Sequence, residues 1–163
     1  MGFLSSFDIS GYGLSAQRFR INVISSNIAN ANTTRTDEGG PYRRKEVVFK
    51  EINFDEELNK KLDTNYLKYS NPLDEKDSKF LEPKPALSTV IVDKIVRDDS
   101  KPILKYEPNN PDADKNGYVA YPNINPAIEM ADLIEATRSY QANVAAFQSA
   151  KNMATTAISI LKG

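Results

Sequence analysis

The sequence predicts a mainly α fold with a small β-rich middle, an α+β chain, on three observations. Apolar residues recur at intervals of seven near both ends of the 163 residues. Between them lie short β-branched runs, and a charged stretch carrying Pro72, Pro83 and Pro85 interrupts those runs. The terminal helices are expected to pair as an antiparallel coiled-coil-like hairpin. Residues 1–34 plus 124–163 then make one discontinuous helical assembly domain, with 35–123 as the central β-rich region.

The first helix rests on Phe7, Leu14, Ile21 and Ile28, with Phe3, Ile24 and Ala31 at companion positions of a seam that Ser10 and Gln17 interrupt. Ser5, with Asp8 three residues on, is expected to cap its start. Gly11 and Gly13 weaken the helix by roughly 1 kcal/mol each relative to Ala.

The second helix is expected over 126–161. Leu133, Tyr140, Phe147, Ala154 and Leu161 form an unbroken sevenfold series, and Met130, Thr137, Val144, Lys151 and Ile158 precede each by three residues. A stripe of small residues, Ala136, Asn143, Ala150 and Ala157, permits close approach of a neighbouring helix. Asn125 suits the N-cap and Pro126 the first helical position. Glu129, Asp132 and Glu135 near the start, with Lys151 and Lys162 toward the end, complement the helix macrodipole.

In the middle, Val47-Val48-Phe49 marks a strand over 46–52, and 87–96 marks another with Leu87, Thr89, Ile91, Asp93 and Ile95 on one face. Asp98 to Pro102 reads as a turn that joins this second strand to Ile103–Tyr106 in a hairpin, and Tyr118–Tyr121 as a last short strand. Residues 55–85 are charged at 14 of 31 positions, which suits a solvated surface insertion, although Phe54, Leu58, Leu62 and Tyr66 could form one short helix. The sharper alternative for this insertion is a contact surface for a neighbouring protein.

Composition closes several functional classes. Without Cys or His there is no thiolate nucleophile, no Cys/His zinc site and no histidine acid–base chemistry. Lys plus Arg total 21 against 22 Asp plus Glu, so no net field draws in nucleic acid. No apolar run reaches the ~18 residues of a membrane span, and the first residues lack the pattern of a cleaved signal peptide. Gly2 and Ser6 fit an N-myristoylation pattern that is short enough to arise by chance. Asp112-x-Asp114-x-Asn116-Gly117 begins like a calcium loop, but Asn123 stands where the bidentate Glu belongs, so an Asx-rich turn is expected. No catalytic, cofactor-binding or metal-binding residues are assigned, and no cofactor or small-molecule substrate is expected. The carboxylate pairs a glycosidase would need, Glu56-Glu57 or Asp98-Asp99, sit in polar runs with nothing to raise a pKa.

The first helix ends in Asn27-Ile28-Ala29-Asn30-Ala31-Asn32-Thr33, whose side chains compete for backbone hydrogen bonds and so break the helix. Gly39-Gly40-Pro41-Tyr42-Arg43-Arg44-Lys45 follows as a turn and a short basic run, a solvated strand edge or, as the sharper alternative, a phosphate site. The first of these stretches resembles the N-terminal motif shared by flagellar rod, hook and hook-associated proteins. The second resembles the C-type proximal rod proteins among them, as do Asp112-Ala113-Asp114 with Gly117–Asn123, and Arg138-Ser139-Tyr140-Gln141-Ala142-Asn143 in the last helix. The likeness covers residues 1–50 and 103–163, while 55–85 departs from it by its length.

The resemblance implies a structural subunit of the rod, the drive shaft of the flagellar basal body that spans the periplasm. It implies paired terminal helices in an inner layer and a β-rich part outside. Its expected partners are other rod subunits, further copies of itself and other basal-body components, with the flagellar type III export apparatus in transit. Assembly contacts are expected at Phe7, Leu14, Ile21, Ile24, Ile28, Leu133, Tyr140, Val144, Phe147 and Ile158, each of which also suits ordinary packing within one subunit. The terminal helices alone supply too few large apolar side chains to offset the ordering of their backbone, so both are expected to be mobile until neighbours pack against them. A soluble adaptor that binds one partner helix and never polymerises is the competing function.

Overall fold

The computed structural model describes residues 3–53 and 88–162. Helix α1 runs Phe3–Ala29, strand β1 Lys45–Asn53, β2 Ser88–Arg97, β3 Ile103–Tyr106, β4 Tyr118–Tyr121, and helix α2 Pro126–Lys162. The architecture is α+β, as expected. The insertion at 55–85, with its short helix, lies outside the described residues.

The start of α2 follows from its capping chemistry. Asn125 Oδ1 accepts the Ala127 N–H at 3.0 Å, and the Asn125 carbonyl accepts the Glu129 N–H at 3.1 Å. Pro126, which has no N–H to satisfy, occupies the first turn. At the other end of the chain α1 begins at Phe3, ahead of the start expected at Ser5. The helix runs through both Gly11 and Gly13. At Gly13 the gain is proximity: an added Cβ would lie 3.0 Å from the Asn143 side chain of α2.

The two helices pack against each other antiparallel. Asn27 meets Glu129, Arg20 lies 3.8 Å from Glu135, Gly13 abuts Asn143, and the rings of Phe7 and Phe147 meet edge to face at 4.9 Å. Ala136 and Ala150 are buried in the contact, the close approach that the small-residue stripe permits, whereas Ala157 is exposed. After Phe147 α2 still has 15 residues to run, while α1 has four before Phe7. The longer helix therefore overhangs by about ten residues, or ~15 Å at 1.5 Å per residue.

The strands form two separate ribbons. β1 pairs antiparallel with β2 from Lys45↔Arg97 to Asn53↔Ser88, and β3 pairs antiparallel with β4 from Ile103↔Tyr121 to Tyr106↔Tyr118. The expected hairpin between the 87–96 strand and Ile103–Tyr106 does not form. β2 gives its whole ladder to β1, and the Asp98 N–H continues that ladder by donating to the Arg44 carbonyl at 2.8 Å. Pro102 then enters β3 without an N–H to offer. The expected single face of β2 is also broken. Val48 and Phe49 pair with Lys94 and Val92, which leaves Asp93 as an extra, bulged residue. Thr89 is buried on the ribbon, but Ile95 is exposed.

Candidate assembly interface

Between α1 and β1 the chain doubles back. The Tyr42 N–H donates to the Thr33 carbonyl at 3.0 Å and the Thr36 N–H to the Gly40 carbonyl at 2.9 Å. Gly39 and Gly40 both hold positive φ (86° and 78°), a conformation that favours glycine and turns the loop. Asn30 Nδ2 donates to the Ser26 carbonyl at 2.8 Å and Thr33 Oγ1 to Asn30 Oδ1 at 3.2 Å. Asn32 and Arg43 are exposed, Pro41 is half-buried, and Arg43 reaches Asp99 at 3.1 Å. The bend is tied to the end of β2 by the Glu38–Arg97 pair, with Arg97 Nη2 donating at 2.9 Å. This hydrogen bond, joined by the Arg97 charge, holds the Glu38 carboxyl below its ordinary pKa.

This loop delivers Tyr42, Arg44 and Lys45 to Asn27, which is 1 % exposed. Asn27 Nδ2 donates to the Lys45 carbonyl at 2.8 Å and to Glu129 Oε2 at 3.0 Å. Asn27 Oδ1 accepts the Lys45 N–H at 3.0 Å and the Tyr42 hydroxyl at 3.1 Å. Both hydrogens of the amide nitrogen and both lone pairs of its oxygen are thereby used. Glu129, also 1 % exposed, accepts the Arg44 Nε–H through Oε1 at 2.7 Å. Burial opposes the charge on Arg44. The Glu129 hydrogen bond and charge, helped by Glu46 at 3.6 Å and Asp132 at 4.0 Å, outweigh it and raise the guanidinium pKa. The expected solvated strand edge is thus corrected at Arg44: a buried carboxylate requires a paired cation, and Arg44 supplies it.

Of the residues expected at an assembly interface, Ile24 is buried within the chain. Phe7, Leu14, Ile21, Ile28, Leu133, Tyr140, Val144 and Phe147 are half-buried, and Ile158 is 55 % exposed. The most buried face of α1, through Ala16, Val23 and Asn27, is rotated by about 140° from the Leu14–Ile21–Ile28 stripe at 100° per residue. Ala16 and Val23 escaped the sequence reading because a small residue seven positions before a valine makes a weak stripe. In α2, Arg138 and Gln141 point to solvent, Tyr140 is half-buried, and Asn143 faces Gly13. The overhang carries Met153, Ile158 and Ile160 at 61, 55 and 73 % exposure.

The second ribbon has its own polar fixture. Asp114 Oδ1 accepts the N–H groups of Asn116 and Tyr118, both at 2.8 Å, which makes the Asx turn expected there. Glu107 accepts from Asn110 at 2.9 Å and from the Tyr121 hydroxyl at 3.0 Å, and these bonds, Asn110 foremost, lower its pKa. The same Glu107 bond raises the Tyr121 pKa. None of the helices among the described residues is long and apolar enough to cross a membrane.

Both helices of the pair lie largely within segments that match families of flagellar rod proteins. Residues 7–35 match the family described as flagella basal body rod protein, and 115–160 match flagellar basal body rod FlgEFG protein C-terminal. The chain is 40 % identical to the flagellar basal-body rod protein FlgC of Borreliella burgdorferi over 167 aligned positions, covering 100 % of both chains. It is 40 % identical to the Bacillus subtilis protein of that description over 96 % of this chain and 97 % of the relative. The corresponding Salmonella typhimurium protein is 36 % identical, over 94 % and 93 %. The chain belongs to the FlgC family of flagellar basal-body rod proteins.

Proposed function

We propose that this rod subunit of the flagellar basal body builds its axial contacts with the open end of its helix pair. Its work is structural, like that of its relatives, and places it in the basal body. The observation that carries the finer reading is the overhang of α2. A buried seam continues past Phe7 into a helix whose Met153, Ile158 and Ile160 face solvent, while Leu14, Ile21 and Ile28 form a half-buried stripe farther along α1. Heterologous contacts between such surfaces leave a new overhang after each addition and propagate as an open helix. Residues 1–34 and 124–163 act in this reading as the assembly domain, packed in coiled-coil fashion, and 35–123 as the outer part. Phe7, Ile24, Leu133, Tyr140, Val144 and Phe147 hold the pair in shape for that contact.

Specific neighbours follow as proposals too: like subunits, other rod proteins, and the export apparatus during delivery. Residues 55–85 serve in this reading as a charged surface insertion, so a deletion of 57–82 is expected to leave swimming normal; lost swimming would instead make them a contact to a neighbouring basal-body part. Disorder before assembly is confined to the open end. Rigid, dispersed backbone NMR signals from 3–13 and 143–162 in the dilute isolated chain would contradict this. For the function itself, cells lacking the gene are expected to show basal bodies without a completed rod in electron micrographs. Complete rods in those cells would refute the reading.

A further inference from the structure

The buried cluster around Asn27 does more than fill the end of the helix pair. The ribbon it holds has two strands, and two-stranded sheets specify their register weakly. The bulge at Asp93 divides that ribbon into a near half, Lys45–Val48 with Lys94–Arg97, and a far half, Phe49–Asn53 with Ser88–Val92. Because the extra residue lies between them, the near half could slip by one position and absorb the bulge without disturbing the far half. Such a slip would turn every near-half side chain of the slipping strand to the opposite face. Thr89, buried in the far half, ties that half to the packed body of the chain. Near-half residues of β2 are exposed from Lys94 to Arg97, so apolar burial gives them no comparable anchor.

Polar contacts hold the near half instead: the Glu38–Arg97 and Arg43–Asp99 pairs and the Asp98 N–H on the Arg44 carbonyl tie the end of β2 to the loop, and Asn27 anchors that loop and β1 in turn. Its amide binds both backbone groups of Lys45, the first residue of β1, as a neighbouring strand would. The orientation of that amide is fixed in turn by Glu129, which accepts from Nδ2 and is itself held by Arg44 of the same loop. Glu129 sits in the first turn of α2, so it reaches Asn27 only when α2 is docked on α1. We propose that Asn27, Arg44 and Glu129 are positioning residues through which docking of α2 sets the register of the near half of β1 on β2. An undocked α2 leaves the near half free to slip while the far half stays paired. The subunit then presents a fixed outer ribbon only once its helix pair is closed. That consequence for assembly rests on the rod reading, whereas the coupling does not.

Hydrogen exchange of the full-length chain, followed by mass spectrometry, tests the coupling apart from rod formation. Ala136→Asp places a carboxylate at a fully buried position of α2. It is expected to speed exchange in the near half together with 20–31 and 126–136, on the order of tenfold, with the far half much less affected. Near-half amides that keep their protection while the helices lose theirs would overturn the proposal. Asn27→Asp sets two carboxylates against each other and is expected to open the near half about tenfold. Adding Glu129→Gln returns a donor to that contact and is expected to recover most of the loss, whereas a double variant no better protected than Asn27→Asp counts against the clasp. Tyr42→Phe, a milder change that removes one hydroxyl from Asn27, is expected to raise near-half exchange severalfold with its boundary at Asp93. A uniform change across both halves would also overturn the proposal.

Discussion

The two ends of the helix pair are finished in different ways. At the Asn27–Glu129 end, hydrogen bonds saturate a buried amide and an ion pair neutralises a buried carboxylate. At the Phe7–Phe147 end the two rings meet edge to face, and α2 runs on with large apolar side chains in water. Directional polar contacts demand particular partners at fixed angles, and a single chain can supply them in advance. Apolar contact is non-directional and proportional to area, so it accepts whatever surface arrives. The difference teaches which end the chain completes by itself and which it leaves for a neighbour.

The largest effect is expected at the polar end. Arg44→Ala strands the Glu129 carboxylate in a buried site and should cost about 3–5 kcal/mol in chemical denaturation. A loss under 1 kcal/mol would mean that the end is not closed as described. At the other end Phe147→Ala removes a half-buried ring and its contact with Phe7, with an expected loss of about 1–3 kcal/mol.

Smaller changes sharpen the contrast along α1 itself. Gly11→Ala has open space and should gain roughly 1 kcal/mol of helix stability. Gly13→Ala should gain clearly less, because its Cβ meets the Asn143 side chain at 3.0 Å. Equal gains at the two positions would show that the helices are not in close approach there. Ile160→Ser should shift the stability of the isolated chain by no more than about 0.5 kcal/mol yet impair rod completion in cells. Normal rods would remove Ile160 from the proposed contact.

The smallest expected effect is pH-dependent protection of the β3–β4 ribbon. Glu107 has a lowered pKa, so its contribution is present above its unfolded-state pKa and lost as pH falls through the folded value. Tyr121 has a raised pKa, so its contribution is present below its unfolded-state pKa and lost as pH rises through the folded value. Protection at Glu107 and Gly117, taken relative to the intrinsic exchange rate at each pH, should therefore be greatest between the acidic carboxylate range and the alkaline tyrosine range. A Glu107→Gln chain that keeps the full acid-side dependence would assign it to another group.

Much of this was legible from local pattern. The sevenfold series in α2 and the Asn125-Pro126 start placed that helix because periodicity and capping act within a few residues. β1 and β2 were legible as extended segments, but their pairing was not, since the choice of ladder partner is made across residues 54–87 and shifted by a bulge at Asp93. Asn27 was visible as part of a motif, but its role was hidden. Its partners lie 15, 18 and 102 positions away, beyond the reach of any helical or strand spacing. Glu129 was read as an acid suited to a helix start, which it is, while the cation it holds lies 85 residues earlier.

A side chain with every donor and acceptor committed inside its own chain has nothing left to offer a neighbouring molecule. Asn27 is such a residue, so it reports how the subunit is built rather than what it touches. Designers who wish to retarget these subunits to new neighbours should hold that position constant and vary the exposed flank of the long helix instead.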